Sequence, residues 1–561
     1  MYFCAAFALF AGVSGLLMDK VHHVPQGWSE VGTPSPSTRF KLSIALMPAD
    51  KELLHKTITN ISTPGHVDYG KCLDKSALRA VVEPSQDSTN AVLKFLEDSG
   101  ILKSDLAQHG DWIDLTADIE TADRMMNASF AKYREDTGRG IIIRTQQYSL
   151  PDHVAKHVDM IERTTQFPRE ARSRRPGSVH SSEALRKPID QNGCNRTITP
   201  SCPRTLYNLP LTGNSRNTNA HGHVGIAGFL AEYPQQKDFE IFAKKFAPYL
   251  IDVAEPRFIS LDGEENRSAY TGEGEANLDV QYAAAMAYPV PVQYYYTHGL
   301  DVDEENRPLE NLTAASSELN VVLLRYLRDL PTGLLPHSLS VSQGGFESLL
   351  PVAYARKICD MFGELGARGV TVVFASGDFG PGLACKSKHG KRLDPIFPAR
   401  CPCVTSVGGT QFTNPEITGI ASSGGFSGIF CRPDWQKKEV ETYLDTLGTH
   451  LTGMYNSSAT ANASGTSASA PTVTGIVGLV DSALIDAGKT PLGFMNPSIY
   501  SIGREAFQDI DDGSSKGCWQ VTSKNKTATV DLSATTGWDP ITGIGTPDFR
   551  KLLSIAMEQK V

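Results

Sequence analysis

The sharpest chemical signal in the chain is Ser464-Gly-Thr-Ser-Ala-Ser-Ala-Pro471. A Gly-Thr-Ser turn running into a small-residue helix, Thr472 to Ala483, presents Ser467 at a helix N-terminus. Backbone N–H groups and the helix dipole favour developing negative charge there. Small neighbours allow a substrate backbone to approach closely. The same string also reads as a Ser-rich loop that merely caps a helix. A nucleophilic serine needs a base, so the base decides between the two.

Histidine is a poor candidate for that base. After the basic stretch that ends near residue 190, the only suggestive context is His221-Gly-His223, at the lip of a predicted strand and without a following helical His-Gly-Thr. Carboxylates offer more. In Gly274-Glu-Ala-Asn-Leu-Asp-Val-Gln-Tyr282, Glu275 and Asp279 stand at i and i+4 of a predicted helix and so share one face. Two acids that close repel when both are ionised, so they share a proton and titrate apart. Such a pair accepts a serine proton at low pH, where histidine is already protonated. By itself the spacing is also common on solvated helix faces.

A third acid, Asp378, follows the apolar run Val372-Val-Phe-Ala in Ser376-Gly-Asp-Phe-Gly-Pro381. Acids at the carboxyl ends of parallel strands stand where α/β sheets place their sites. A protonated Asp378 there would donate a hydrogen bond to an oxyanion. The Asp-Phe-Gly string does not indicate a protein kinase, because no His-Arg-Asp catalytic loop and no suitable Gly-rich strand pair accompany it. Near the C-terminus, Phe507-Gln-Asp-Ile-Asp-Asp-Gly513 and Thr535-Thr-Gly-Trp-Asp-Pro-Ile-Thr-Gly-Ile-Gly-Thr-Pro547 combine acids with Gly-rich turns. Hard carboxylate and carbonyl oxygens in such turns suit calcium, and equally suit ordinary Asx-turns.

The elements that must position these groups fall into two regions. Residues 40–48 alternate like a strand; residues 76–99 carry helical periodicity through Leu78, Val81, Val82, Val92, Leu93, Phe95 and Leu96. A strand from Trp112, a helix over 119–134 and a strand at Gly140-Ile-Ile-Ile follow, giving a small α+β unit that ends near 165. From Phe167 to Asp190 the chain is basic, with Arg169, Arg172, Arg174, Arg175, Arg186 and Lys187, and without apolar periodicity. This reads as a domain boundary, and a flexible basic linker invites cleavage. Beyond 205, Val224-Gly-Ile-Ala-Gly-Phe, Asn320-Val-Val-Leu-Leu and Gly369-Val-Thr-Val-Val-Phe-Ala read as buried parallel strands. Helices are predicted over 237–248, 275–287, 352–367 and 467–486. The economical fold class is α/β, one large parallel-sheet domain behind an α+β domain.

The chain has 561 residues, and its net charge of -9 argues against a nucleic-acid partner. The apolar run over 1–15 ends in small residues and is too short to span a membrane, as in a signal peptide, although no Lys or Arg precedes Lys20. No membrane anchor is expected elsewhere. Asn-x-Ser/Thr acceptors at Asn60, Asn127, Asn195, Asn266, Asn311, Asn456, Asn462 and Asn525 fit a glycosylating, secretory route. The nine cysteines after Cys4 lack zinc-finger spacing and read as a few disulfides plus one or two free thiols.

Taken together, Glu275…Asp279, Ser-Gly-Asp378 and Gly-Thr-Ser467-Ala-Ser resemble the sedolisin family of serine-carboxyl peptidases, closest to its fungal tripeptidyl-peptidase branch and the related lysosomal enzyme. The likeness covers nearly the whole chain. His23-Val-Pro-Gln-Gly-Trp28 and Pro64-Gly-His-Val-Asp-Tyr-Gly70 look like that family's propeptide, and Thr199-Pro-Ser-Cys-Pro-Arg-Thr-Leu-Tyr207 like the start of its mature enzyme. Phe397-Pro-Ala-Arg-Cys-Pro-Cys-Val-Thr-Ser-Val-Gly-Gly-Thr410 and Ser422-Ser-Gly-Gly-Phe-Ser427 look like its interior.

The resemblance implies a subtilisin-like parallel sheet flanked by helices, preceded by an α+β, ferredoxin-like prodomain. The expected division is a signal peptide over 1–15, a prodomain over 16–166, an activation linker over 167–200 and a catalytic domain over 201–561. It implies Ser467 as nucleophile, Glu275 as general base, Asp279 as its proton-sharing partner and Asp378 as oxyanion donor. It further implies one calcium ion held by Asp509 and Asp539 and by the backbone carbonyls of Ile510, Thr535 and Gly537. A Cys385–Cys518 bridge is implied in the same way. The expected partners are peptide or protein substrates and the chain's own prodomain as inhibitor. The expected location is extracellular, with an acidic vacuolar or lysosome-like compartment as the alternative.

Two departures bear on substrate choice: Ser342-Gln-Gly-Gly-Phe-Glu347, where relatives usually have Ser-Tyr-Gly before an acidic cluster, and Phe379, where Ser is usual. Since free Glu titrates near ~4.3, activity should peak at acid pH and fade toward neutrality. The rival readings are an endopeptidase of the same family, a subtilisin-type Ser-His-Asp enzyme and a catalytically dead peptide-binding protein.

Overall fold

The computed structural model describes residues 15–25, 27–136, 141–167, 194, 198–210, 222–229, 232–251, 255–261, 274–297, 319–382, 386–387, 390–391, 393–413, 415–447, 465–517, 520–521, 526–527 and 530–559. Most of the expected signal segment, most of the activation linker expected over 167–200, and both Cys385 and Cys518 lie outside the described residues. The described chain clusters into two units. One holds the residues up to 49 together with 82–167; the other holds 50–81 and the described residues from 194 onward. Residues 50–81 thus lie within the span read as prodomain, yet cluster with the second unit.

The chain runs through β1 (Arg39–Leu46), α1 (Lys51–Ser62), α2 (Lys75–Val82), α3 (Gln86–Asp98), β2 (Leu106–His109), β3 (Trp112–Asp118), α4 (Ile119–Met126) and β4 (Val158–Glu162). The four strands form one antiparallel sheet in the order β2-β3-β1-β4. Alternation sends Leu42, Ile44 and Leu46 of β1 into the core of this unit, where α3 contributes Val92 and Leu96. Ser85 caps α3 and Asp118 caps α4 by accepting N–H bonds three residues on. The helix predicted over 119–134 is shorter than expected. It stops at Asn127, which is left-handed at φ 43°, and the Asp123 carboxylate takes the N–H of Phe130. Ala131–Glu135 is then a strand.

The second unit is built on β5 (Val224–Phe229), α5 (Gln236–Phe246), β6 (Arg257–Ser260), α6 (Gly274–Ala287), β7 (Val292–Thr297), α7 (Leu319–Asp329), β8 (Ser338–Val341), β9 (Gly345–Phe346), α8 (Val352–Ala367), β10 (Thr371–Ala375), β11 (Ile396–Phe397), β12 (Thr405–Val407) and α9 (Thr466–Asp486). Its sheet has six strands in the order β6-β7-β5-β8-β10-β12, all parallel. Every residue of β5, β8 and β10 is buried, as helices on both faces require.

The strand expected at Asn320 is instead helix α7. Val321, Leu324 and Leu327 recur every three residues and are buried, a spacing that suits a helix. A short apolar run does not by itself distinguish a covered strand from a buried helix. One described helix, α9, is long and apolar enough to cross a membrane, but most of it is buried in this unit's core.

Candidate active site

Two helices carry the principal groups. Glu275 and Asp279 lie in the first turns of α6, and Ser467 is the second residue of α9. Gly465 precedes α9 at φ 58°, a conformation that costs glycine little and lets the chain turn sharply into the helix. The helices touch through small residues. A Cβ on Gly475 would lie 2.9 Å from the carbonyl oxygen of Ala283 and 2.9 Å from the amide nitrogen of Ala287. Only glycine permits that approach.

Ser342, immediately after β8, ties the helix starts together. Its hydroxyl donates to Asp279 Oδ1 at 2.9 Å and lies 3.3 Å from the carbonyl oxygen of Ser467. Asp279 is 3% exposed. Burial pushes its carboxyl well above the usual range, the neighbouring Glu275 and Glu232 add to the rise, and the Ser342 bond opposes it. Glu275 Oε1 is buried too. The i,i+4 pair is therefore one buried acid interacting with one half-buried acid whose Oε1 is covered, and not a fully solvated helix face.

Asp378 approaches from the other side. It follows β10, and its Oδ1 accepts from both the backbone N–H and the hydroxyl of Thr466 at 2.8 Å each. The Thr466 hydroxyl in turn accepts from the N–H of Gly377 at 3.0 Å. With two donors on Oδ1, a proton on this carboxyl would reside on Oδ2. Asp378 and Ser342 thus make contacts at adjacent residues of α9, Thr466 and Ser467.

The geometry adds two residues to the sequence reading. Ser342 stood in a string noted only for substrate preference. Glu232 lies just beyond β5, and the Tyr294 hydroxyl donates to its carbonyl oxygen at 2.8 Å. The rule that pointed to Asp378, an acid beyond the carboxyl end of a buried strand, also applies to Glu232. The two sequence departures meet as well: the rings of Phe346 and Phe379 stand 5.3 Å apart.

Among the described histidines of the sheet, none approaches this end. His223 directly precedes β5 and His337 directly precedes β8, at the amino ends of strands whose carboxyl ends lead to Glu232 and Ser342. Four to six residues at ~3.3 Å each separate the two edges by about 13–20 Å. His223 Nε2 is instead 2.7 Å from the Tyr295 hydroxyl, and burial, with His337 and Arg257 nearby, holds its pKa down to about 4.

Residues 26–167 match the family described as Pro-kumamolisin, activation domain. A probable tripeptidyl-peptidase SED4 of Trichophyton verrucosum (strain HKI 0517) is 37% identical over 575 residues, covering 96% of this chain and 94% of its own. The tripeptidyl-peptidase SED2 of Arthroderma otae (strain ATCC MYA-4605 / CBS 113480) is 34% identical over 573 residues, with 96% of each chain covered. The chain belongs to the sedolisin family. A Pseudomonas sedolisin, solved with two molecules of pseudo-iodotyrostatin, aligns at TM-score 0.45 and 20% identity over 64% of this chain and 98% of its own. As a sedolisin, the chain is a serine-type peptidase of the serine-carboxyl class, with an activation domain that makes it a zymogen.

The residues of the expected calcium site in this sedolisin converge on one turn. Asp509 Oδ2 accepts from the N–H of Gly537 at 2.6 Å, and Asp539 Oδ2 accepts from the N–H of Thr535 at 3.3 Å. Asp539 Oδ1 takes the N–H groups of Ile541 and Thr542, and the Thr542 hydroxyl lies 3.2 Å from the carbonyl oxygen of Ile510. Asp509 Oδ1 is buried without a hydrogen-bond partner. That oxygen, with the Arg504 guanidinium 4.0 Å away, joins the Asp539 carboxylate and the Ile510 carbonyl in an oxygen-rich set of the kind that suits a hard cation.

Proposed function

We propose that this sedolisin is a secreted, acid-active enzyme that releases tripeptides from the free amino termini of polypeptides. The observation that supports it most is the convergence of Asp279, through Ser342, and Asp378, through Thr466, on the first turn of the helix that carries Ser467. The tripeptidyl specificity is carried by the names of the relatives.

In this reading the Ser467 hydroxyl attacks the scissile carbonyl carbon, and its proton passes to Glu275. Asp279 shares a proton with Glu275 and keeps it a usable base at acid pH. Asp378 donates from Oδ2 to the oxyanion, while Oδ1 is held by Thr466. As the tetrahedral centre collapses, the C–N bond breaks and the leaving amine takes the proton from Glu275. Water then attacks the acyl-enzyme, giving its proton to Glu275, and Ser467 recovers a proton as the peptide acid leaves.

Asp509 and Asp539, with the carbonyls of Ile510, Thr535 and Gly537, would hold one calcium ion, which would supply positive charge that knits the 509–510 and 535–539 segments. The prodomain would inhibit the enzyme until cleavage within 167–200.

Product analysis with a peptide library at about pH 4, near the Glu reference value, tests the proposal. Intact tripeptides should appear from free amino termini and none from acetylated ones. Internal cleavage of the acetylated peptides would favour an endopeptidase, and a Glu275→Gln variant with full activity would remove the carboxylate mechanism altogether.

A further inference from the structure

Three cysteines stand together away from the catalytic groups. Cys359, on α8, is bonded to Cys401, and Cys403 is a free thiol on the same segment between β11 and β12. All three sulfurs lie within 4.8 Å of one another. With two of them bonded to each other, the group is not a three-thiolate metal centre. We infer that it is a thiol–disulfide exchange site, in which Cys403 can replace Cys401 as the partner of Cys359.

The step is an isomerisation without net oxidation. The Cys403 thiolate attacks Cys359 Sγ, a Cys359–Cys403 bond forms, and the Cys359–Cys401 bond breaks. The electron pair leaves on Cys401, which then takes up the proton that Cys403 gave away. One contact favours this direction: the backbone N–H of Cys403 donates to Cys401 Sγ at 3.3 Å, so the departing thiolate keeps a hydrogen-bond donor. Cys359 is fixed in a buried helix, whereas Cys401 and Cys403 are two residues apart on a loop. Exchange therefore moves the loop's anchor two residues toward β12 and away from β11, the strand that pairs with Phe346 of β9.

The site is held off in the full chain. Burial pushes the Cys403 thiol up to about 12, and the charge of Asp360 adds to the rise. Asp360 is itself paired with Lys51 at 3.2 Å and His55 at 2.7 Å, both on α1, and lies near Lys357. The same helix supplies cover: a Cβ on Gly363 would meet Ile58 Cδ1 at 2.6 Å and Cys403 Sγ at 3.1 Å, so these two side chains crowd one spot. Exchange needs the thiolate, whose fraction rises about tenfold per pH unit below the pKa.

The test is disulfide mapping of the full chain by mass spectrometry, after a fixed incubation without added thiol or disulfide, acid quench and alkylation. Between about pH 5 and about pH 9 the peptide linking Cys359 to Cys403 should increase about tenfold or more, with Cys401 becoming alkylatable. In a Cys401→Ser chain, Cys359 and Cys403 should bridge instead. A sole Cys359–Cys401 linkage at both pH values overturns the inference. So does linkage that spreads equally to Cys72 and Cys431, which marks unfolding and not a local site. A folded Cys401→Ser chain with both remaining thiols alkylated overturns it too; if that variant fails to fold, the wild-type map decides.

Discussion

Ser342 donates its hydroxyl proton to Asp279 over 2.9 Å, and the same oxygen stands 3.3 Å from the carbonyl of Ser467. One small side chain at the end of β8 thus links the acid-bearing helix to the serine-bearing helix. It also acts on charge, because its bond is the contribution that lowers the Asp279 pKa against burial and Glu275.

Removing that bond by Ser342→Ala should raise Asp279 further. Loss of the shared proton then moves to higher pH, so the alkaline limb of the kcat profile shifts upward, while kcat at the optimum falls about tenfold at nearly constant KM. Ser342→Thr, which keeps a hydroxyl, should restore the limb. Superimposable pH profiles for wild type and Ser342→Ala would show that the contact does not tune the pair.

Gly475→Ala probes the helix contact on which the constellation depends. A methyl group there would also lie 2.7 Å from the Met286 Cβ, in addition to the backbone atoms of Ala283 and Ala287. Backbone cannot yield as a side-chain tip can, so the helices must separate at a cost of about 1–3 kcal/mol. The expected result is a lower Tm together with a lower kcat. An unchanged Tm would mean that the helices are not held this closely.

Asp481, within α9, gives the fold a pH dependence of its own. It is fully buried, it accepts the N–H of Leu492 at 2.7 Å, and its other oxygen has no partner. Burial raises its pKa from 3.8 to about 8, with the Leu492 bond opposing. The folded chain therefore keeps a proton that the unfolded chain gives up. The associated stability is fully present below the ordinary carboxylate range and is lost as pH rises toward 8. At ~1.4 kcal/mol per pH unit the ceiling is about 6 kcal/mol. Asp481→Asn should flatten this slope in urea unfolding at pH 5 and pH 8; parallel slopes for the two proteins would count against it.

Calcium should stabilise the 535–539 turn. At a free concentration about 100 times Kd, a bound ion contributes about 2.7 kcal/mol, visible as a higher Tm that a chelator reverses. Asp539→Asn should abolish the calcium-dependent part and also lower the chelated Tm, because the amide NH2 faces N–H donors that both carboxylate oxygens now accept from. A Tm indifferent to calcium in the wild-type chain would remove the ion from the account.

Local chemistry was legible in the residues themselves. Gly465-Thr-Ser467 before an apolar run reads as a turn into a helix because only glycine enters that turn cheaply and small residues pack closely. The spacing of Glu275 and Asp279 follows from 3.6 residues per turn, and helix α8 follows from its periodicity, to the residue. What the residues left open was long-range. Whether the acid pair is solvated or buried depends on what covers it, and α9, nearly 190 residues further along, supplies the close contact through Gly475. The run at Asn320 fitted strand or helix equally until its neighbours made it a helix. His221-Gly-His223 could be weighed as a base only while the direction of β5 was unknown; the parallel sheet puts His223 at the wrong edge. Short-range periodicity is written in the sequence because backbone geometry is the same everywhere. Burial, proton sharing and the edge at which a side chain emerges arise from contacts between distant segments, and those exist only once the chain has folded.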